Sequence, residues 1–207
     1  MNEKGMGARF YVLDGVDGCG KSTQAKALCA RLGEVRKCEP LHLREPGSTP
    51  AGERIREVIL DAALALGPAP QALLLAAARR QTLDDLVRPA MEAGRDVVME
   101  RFHASTFAYQ GIAGELGGEF VLEMLGTWAG DPRPDLVLLL DLPLERALAR
   151  REGGDRFESR DARFQERVFE GYRRYAELVP SAVVVDAVGK VDEVTERIWK
   201  EVERAGL

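Results

Sequence analysis

A glycine-rich segment near the N-terminus constrains this chain more than any other feature. Residues 15–22 read GVDGCGKS, which matches the pattern G-x-x-x-x-G-K-[S/T]. An apolar segment at residues 9–14 precedes the motif and a helical pattern from residue 21 follows it, as that pattern requires. The glycines let successive backbone N–H groups point at phosphate oxygens, and the dipole of the following helix adds to the attraction. The segment therefore predicts a site for a nucleoside triphosphate with Mg²⁺.

Short apolar segments recur along the rest of the chain and alternate with longer helical patterns. They are rich in Val and Leu, which is typical of strands buried on both faces of a parallel sheet. This alternation predicts one α/β domain over residues 1–207 with right-handed crossovers. The predicted strands are 9–14, 41–43, 96–99, 136–141 and 182–186, and the predicted helices are 21–32, 70–93, 120–129, 144–151, 164–178 and 191–204.

Several predicted strands end in an acidic residue, namely Asp14, Glu100, Asp141 and Asp186. Ligands on such sheets bind at the carboxyl ends of the strands, so these acids are candidates for a ligand site. Asp141 and Asp186 also suit turn initiation or helix capping, and both interpretations stand.

The charge balance excludes a general binder of nucleic acid or anionic membranes, because 34 acidic residues against 29 basic ones give a net charge of −5. Three cysteines without C-x-x-C spacing and two histidines predict reduced thiols and no zinc site. No apolar run approaches the roughly 18 residues that span a bilayer, and the N-terminus lacks a signal-peptide pattern. We therefore expect a cytoplasmic protein.

Three residues of the motif have distinct expected roles. Lys21 supplies a mobile positive charge for the outer phosphates, and Ser22 offers a hydroxyl to Mg²⁺. Asp17 is unusual, since a carboxylate beside a triphosphate is repelled unless it binds a hydroxyl or a metal-bound water. The alternative for Asp17 is an exposed loop acid.

Two arginines lie where they could reach a second ligand. Arg44 opens the segment REPGST directly after the second predicted strand, and its guanidinium can bind an anion with two parallel hydrogen bonds. Arg79 follows two alanines on a predicted helix, and these small residues allow close approach of a ligand. For Arg44 a surface position is equally compatible with the sequence.

Residues 100–110, ERFHASTFAYQ, begin at the end of a strand and run into a predicted helix. Spacings of four to five place several of Arg101, Ser105, Tyr109 and Gln110 on one face. A core tyrosine and a capping serine are the alternative interpretation.

Residues 150–158, RREGGDRFE, combine two glycines with flanking arginines. This composition predicts a basic flap that closes over transferring phosphates, with a solvated run of charges as the alternative. Basic segments of this kind on an acidic chain imply two phosphorylated ligands, and a guanine motif of the N-K-x-D type is missing from the sequence. These features together favour phosphoryl transfer from a nucleoside triphosphate to a phosphorylated small molecule.

The chain resembles the bacterial type of thymidylate kinase, in the nucleoside monophosphate kinase group. The resemblance rests on YVLDGVDGCGKST, REPGST, AARRQ, ERFHASTFAYQG, RPDLVLLLDLP and GGDRFE, in the family's order. It implies transfer from ATP to dTMP with Mg²⁺, giving dTDP for dTTP and DNA synthesis. It also implies a three-layer α/β/α P-loop fold with a five-stranded parallel sheet, a flap at about residues 150–161 and a homodimer.

The resemblance also implies the role of each site residue. ATP binding falls to Gly15, Val16, Asp17, Gly18, Cys19, Gly20, Lys21, Ser22 and Thr23. The dTMP site comprises Asp17, Arg44, Leu75, Arg79, Arg101, Ser105, Thr106, Tyr109 and Gln110. The catalytic set is Lys21, Asp17, Arg44, Arg101, Arg151 and Arg156, and the metal ligands are Ser22 and Glu100.

Two positions depart from the family's pattern. Glu100 stands where Asp is usual, which adds a methylene beside the metal site. Leu75 stands where an aromatic residue usually stacks on thymine, a contact worth about 1 kcal/mol, and Phe102 is a candidate to replace it. The alternative functions are a kinase for other or more varied nucleoside monophosphates and a non-catalytic nucleotide-binding module.

Overall fold

Five parallel strands form the central sheet of the computed structural model, which describes residues 7–150 and 160–206. The strands are β1 Phe10–Asp14, β2 Leu41–Arg44, β3 Val97–Glu100, β4 Leu136–Asp141 and β5 Ala182–Asp186. Their order across the sheet is β2-β3-β1-β4-β5. Each lies within one residue of its predicted position at both ends, so the apolar runs identified the sheet.

Strand β1 occupies the centre of the sheet. Tyr11 pairs with Val98 of β3 on one side and with Leu136 of β4 on the other. All five residues of β1 are buried, because helices cover both faces of the sheet. This burial explains the continuous apolar run, since no residue of β1 faces water.

The helices surround the sheet and join its strands. They are α1 Lys21–Arg36, α2 Pro50–Leu60, α3 Pro68–Thr82, α4 Arg88–Glu92, α5 His103–Thr106, α6 Gly118–Ala129, α7 Leu144–Leu148, α8 Ala162–Leu178 and α9 Val191–Arg204. Two π-helical segments, Leu83–Val87 and Phe107–Ala113, extend α3 into α4 and continue α5. Helices α1 and α9 pack together over part of the sheet, and α8 packs on the π-helical segment Phe107–Ala113.

Helix α2 is the main element that the sequence did not predict. Pro50 occupies its first turn, and the Thr49 hydroxyl accepts a hydrogen bond from the backbone N–H of Gly52 at 2.9 Å. The segment REPGSTP suggests only a turn, yet its last residues cap and begin this helix. Helix α7 ends at Leu148, earlier than the predicted end at residue 151.

The carboxyl ends of the strands position the functional residues. Asp14 ends β1, Arg44 ends β2 and Glu100 ends β3, and these three strands are neighbours in the sheet. Among the described residues, the structure has no helix long and apolar enough to cross a membrane.

Candidate active site

A cleft of about 740 Å³ opens at the carboxyl ends of the central strands. Residues predicted to bind the two ligands line it together. They are Asp17, Gly18, Gly20, Lys21, Ser22, Thr23, Arg44, Leu75, Arg79, Glu100, Arg101, Ser105, Thr106, Tyr109 and Gln110. Gly15, Val16 and Cys19 belong to the same loop but do not line the cleft. Arg151 and Arg156 fall outside the described residues, so their roles stay predictions.

The glycine-rich loop leads from β1 into α1. The Lys21 ammonium donates hydrogen bonds to the carbonyl oxygens of Gly15 and Val16, both at 2.9 Å, so the side chain lies across the loop. Gly18 has a φ of 83°, and a Cβ there would overlap the carbonyl group of Ala147. Only glycine fits this position, although the motif itself leaves it variable, so this glycine follows from the close packing of the loop on Ala147.

Asp14 organises the floor of the site, although the sequence indicated it only as an acid at a strand end. Its carboxylate is fully buried and accepts hydrogen bonds from the backbone N–H groups of Gly15, Phe102 and Ser105 at 2.9, 2.9 and 3.0 Å. The hydroxyls of Ser105 and Tyr172 donate to it at 2.7 and 3.0 Å. The carboxylate thereby fixes the glycine-rich loop relative to the segment after β3.

Asp17 is engaged in the site and is not an exposed loop acid. Its carboxylate pairs with Arg101 and accepts a hydrogen bond from the hydroxyl of Tyr109 at 3.0 Å. Arg101 also donates to the hydroxyl of Ser105 at 3.0 Å. Burial acts to lower the pKa of Arg101, but the attraction of Asp17 holds it well above its usual range. The network keeps one cation and one anion in place between the loop and the rest of the cleft.

The two predicted metal ligands are adjacent. The Ser22 hydroxyl donates to one carboxylate oxygen of Glu100 at 2.5 Å, and a ring nitrogen of His42 lies 2.9 Å from the other oxygen. Among residues 7–150 and 160–206, no group of three or more His, Cys, Asp or Glu side chains could hold a metal ion by itself. Within the described residues, Ser22 and Glu100 therefore provide two neighbouring oxygen donors and not a complete metal site.

Three arginines line the mouth of the cleft near α2 and α7. Arg44 is more than half exposed and donates to Glu53 at 3.2 Å. Arg56 donates to the carbonyl oxygen of Pro46 at 3.1 Å, and Arg150 also borders the cleft. Arg56 could not be selected from the sequence, because α2 was not predicted.

Arg79 lies at the buried end of the cleft and is only 1% exposed. It donates from Nε to Glu45 at 2.6 Å and from Nη2 to the Thr106 hydroxyl at 3.3 Å, while Nη1 has no partner among the described residues. Burial raises the pKa of Glu45 to about 7 despite the attraction of Arg79. A buried cation with an unpaired N–H is therefore presented to the cleft.

The hypothesis that Phe102 stacks on a base in place of the usual aromatic residue is wrong. Phe102 is 1% exposed, does not line the cleft, and lies under the guanidinium of Arg79 at 4.8 Å from its ring centroid. It supports Arg79 by a cation–π contact. Of Phe102 and Leu75, only Leu75 lines the cleft, so the side chain at this position of the cleft is aliphatic.

Gln110 completes this end of the cleft, to which α3 and the segment Phe107–Ala113 both contribute. Its side chain is 2% exposed and donates from Nε2 to Gln71 at 3.0 Å, while its Oε1 has no partner in the part of the chain that the structure describes. The sequence indicated Gln110 but neither Gln71 nor Glu45. These two residues hold the amide of Gln110 and the guanidinium of Arg79. Gln71 and Glu45 are identified only by their burial beside a residue that lines the cleft. The burial of a polar residue cannot be predicted from one sequence.

A sequence model of the thymidylate kinase family matches residues 13–198. The thymidylate kinase of Rhizorhabdus wittichii is 42% identical over 200 residues, covering 93% of this chain and 96% of that protein. The thymidylate kinase of Neisseria meningitidis serogroup A is 42% identical over 205 residues, covering 96% and 98%. The crystal structure of thymidylate kinase from Ehrlichia chaffeensis matches 95% of this chain and all of that chain with a TM-score of 0.80, at 24% identity, and so supports the fold.

Proposed function

The chain belongs to the thymidylate kinase family, and we propose that its cleft performs the family's reaction with the residues assigned below. The protein is a kinase that uses ATP and phosphorylates dTMP to dTDP. The sequence-based predictions of enzyme class, fold and function are confirmed. What remains is to assign each group in the cleft to a part of the two ligands.

Three polar atoms at the buried end of the cleft lack a hydrogen-bond partner among the described residues, namely Glu45 Oε1, Arg79 Nη1 and Gln110 Oε1, and the last two carry the assignment. Arg79 Nη1 is a donor and Gln110 Oε1 is an acceptor, and each is buried without a hydrogen bond. Leaving such groups unpaired costs roughly 1–3 kcal/mol each, so a ligand that pairs both gains affinity and specificity. Thymine presents the complement, the O4 acceptor beside the N3–H donor, whereas cytosine presents a donor amine beside an acceptor nitrogen.

The sugar and phosphate of dTMP then lie between this end and the glycine-rich loop. We assign Arg44 and Arg101 to the dTMP phosphate, and Asp17 to the 3′-hydroxyl side of the sugar. Tyr109 packs under the deoxyribose, because its ring borders the cleft and its hydroxyl is fixed on Asp17. Ser105 and Thr106 hold Arg101 and Arg79 in place.

The triphosphate of ATP occupies the loop. Backbone N–H groups of residues 15–23 and the Lys21 ammonium neutralise its charge, and the γ-phosphoryl group transfers in line to a dTMP phosphate oxygen that is already anionic. No strong general base is needed, and the protein contributes position and charge. Arg151 and Arg156 are assigned to the transferring phosphoryl group on the sequence pattern alone.

A Mg²⁺ ion fits the donors present, because Ser22 and Glu100 offer a hydroxyl and a carboxylate within 2.5 Å of each other. Mg²⁺ in nucleotide sites takes one or two protein oxygens and completes its shell with phosphates and water. The Glu100 side chain reaches Ser22 from the end of β3. Ser22 and Glu100 would hold the ion, which would supply positive charge that offsets the charge of the ATP phosphates.

We also propose a cytoplasmic homodimer that binds neither nucleic acid nor membrane. Helices α3 and α6 pack against each other, and each exposes large apolar side chains, namely Leu73, Phe120 and Trp128. Such side chains favour burial against a second copy. The three cysteines are free, as suits a reducing compartment.

The test is a panel of acceptors. ATP turnover is measured with dTMP, dUMP, dCMP and dGMP, the last because guanine offers the same acceptor and donor on a larger base. We expect the highest kcat/KM with dTMP and at least about 100-fold less with dCMP. Comparable values for dCMP would support a kinase with varied acceptors, and turnover with none of them would support a non-catalytic module.

A further inference from the structure

Two buried glutamines face each other at the closed end of the cleft. Gln71, on α3, is 6% exposed and donates from Nε2 to the carbonyl oxygen of Leu66 at 2.7 Å. Gln110 donates from Nε2 to Gln71 Oε1 at 3.0 Å. Gln71 does not border the cleft, so it reaches the ligand only through Gln110.

The direction of this chain of hydrogen bonds follows from its first member. A backbone carbonyl oxygen can only accept, so the atom of Gln71 that faces Leu66 must be the amide nitrogen. Gln71 therefore turns its oxygen toward Gln110, and the atom of Gln110 that meets it must be nitrogen. The remaining atom, Gln110 Oε1, is left buried without a partner on the lining of the cleft.

We propose that Gln71 is a positioning residue for base selectivity, which orients the Gln110 amide so that its oxygen faces the base of the acceptor nucleotide. The inference rests on the proposed function, in which that oxygen accepts the N3–H of thymine. An amide rotated by 180° would present its NH₂ group, which suits the N3 acceptor of cytosine and leaves the N3–H of thymine without an acceptor. The carbonyl of Leu66 thus determines which pyrimidine the site accepts, because it orients Gln71, which in turn orients Gln110.

Variants at Gln71 separate orientation from packing. Gln71→Met keeps the length of the side chain but removes both hydrogen bonds, so the Gln110 amide can rotate. Gln71→Glu keeps an oxygen that accepts from Gln110 Nε2 and so preserves the orientation. Gln81→Met is the matched control, because Gln81 is exposed on the same helix and donates only to Asp85.

The measurement is the ratio of kcat/KM for dTMP to kcat/KM for dCMP. Both values come from one sample, so a partly unfolded preparation leaves the ratio unchanged. We expect Gln71→Met to lower the ratio about 10-fold, through a higher KM for dTMP with kcat and the KM for ATP nearly unchanged. Gln71→Glu should retain most of the ratio, and Gln81→Met all of it.

A ratio that survives Gln71→Met in a selective wild-type enzyme would overturn this inference alone. So would an equal loss in Gln71→Met and Gln71→Glu, since that result would indicate packing and not orientation. If the wild-type enzyme has the same kcat/KM for dTMP and dCMP, both this inference and the proposed recognition of the base by Arg79 and Gln110 are overturned. Should Gln71→Met not fold, Gln71→Ala removes the same hydrogen bonds and carries the same expectation.

Discussion

In the proposed assignment, the two ends of the cleft recognise their ligands by different physical means. The phosphate end is one continuous segment, residues 15–23, in which the backbone supplies most of the donors and Lys21 the charge. The base end is assembled from three distant segments, represented by Glu45, Arg79 and Gln110, which are all buried. The phosphate end attracts negative charge. The base end pairs each donor or acceptor of the base with a group of the opposite kind.

This difference separates rate from selectivity. Neutralising charge on a triphosphate accelerates transfer to any acceptor, because every acceptor receives the same phosphoryl group. Choosing between thymine and cytosine needs a donor and an acceptor that are each fixed in orientation and shielded from water. We therefore expect changes at the phosphate end to lower kcat for every acceptor and changes at the base end to alter the preference among acceptors.

Asp14 connects the two ends. It binds the backbone of Gly15 in the phosphate loop and the backbone of Phe102 and Ser105 in the segment that carries the acceptor residues. The distance between the phosphate loop and the acceptor site is thus set by one buried carboxylate.

The largest effect is expected at the phosphate end. Lys21→Ala removes the cation that lies across the loop and should lower kcat by roughly a thousand-fold or more with any acceptor. Lys26→Ala, at an exposed position on the same helix, is the control. Steady-state ATP turnover measures the effect, and appreciable activity of Lys21→Ala would contradict the assignment.

The next effect is expected at the base end. Arg79→Met removes the buried donor and should lower kcat/KM for dTMP by about 100-fold, mainly through KM, while the KM for ATP changes little. Kinetics with each substrate varied separately measure both constants. A proportional rise in the KM for ATP would show that the two ends do not act separately.

A pH-dependent effect follows from the Glu45–Arg79 pair. Burial raises the pKa of Glu45 to about 7 from its ordinary value of 4.5, so the folded protein holds this proton at a pH where the unfolded chain has lost it. The stability contributed by the protonated group is complete below the unfolded value and is lost as pH rises through the folded one. Between pH 5 and 7, the free energy of unfolding of the wild type should fall by about 2 kcal/mol relative to Glu45→Gln.

Urea unfolding at several pH values measures that difference. Glu53→Gln is a control whose effect falls at lower pH, because the backbone N–H of Ser48 and the charge of Arg44 lower the pKa of Glu53 from 4.5. The stability that Glu53 contributes is lost only as pH falls below its unfolded value, so Glu53→Gln should leave the profile between about pH 5 and 7 unchanged. Parallel pH profiles for the wild type and Glu45→Gln would contradict the effect of burial on Glu45.

The smallest effect concerns Leu75. Leu75→Phe restores an aromatic side chain on the lining of the cleft and should tighten dTMP binding about five-fold by stacking, with kcat for ATP turnover unchanged. Calorimetric titration with dTMP measures it, and Leu73→Phe, at an exposed position on the same helix, is the control. Equal affinity in Leu75→Phe and the wild type would show that the base does not lie against this residue.

The sequence predicted the sheet and the phosphate end well because both depend on local pattern. Apolar runs such as residues 136–141 mark strands buried on both faces, and the glycine spacing of residues 15–22 follows from the backbone conformation of the loop. The resemblance of their motifs to those of a family also pointed to residues that the structure brings together on the lining of the cleft, and their role in binding the acceptor stays a prediction.

The supporting residues were not predictable in this way. Gln71, Glu45 and Arg56 act through tertiary contacts, and a single sequence does not show that two glutamines 39 positions apart share a hydrogen bond. Phe102 illustrates the same limit, because only its packing under Arg79 reveals that it faces the core. Helix α2 was missed because the turn residues before it also form its cap.

A direct measurement of base recognition uses dTMP methylated at N3. The methyl group removes the one donor that Gln110 Oε1 can accept and leaves the sugar, the phosphate and the O4 acceptor for Arg79 unchanged. The ratio of kcat/KM for dTMP to that for N3-methyl-dTMP should be about 100 or more with the wild-type enzyme. Similar values for the two nucleotides would contradict the account, since they would show that the buried amide does not read the base.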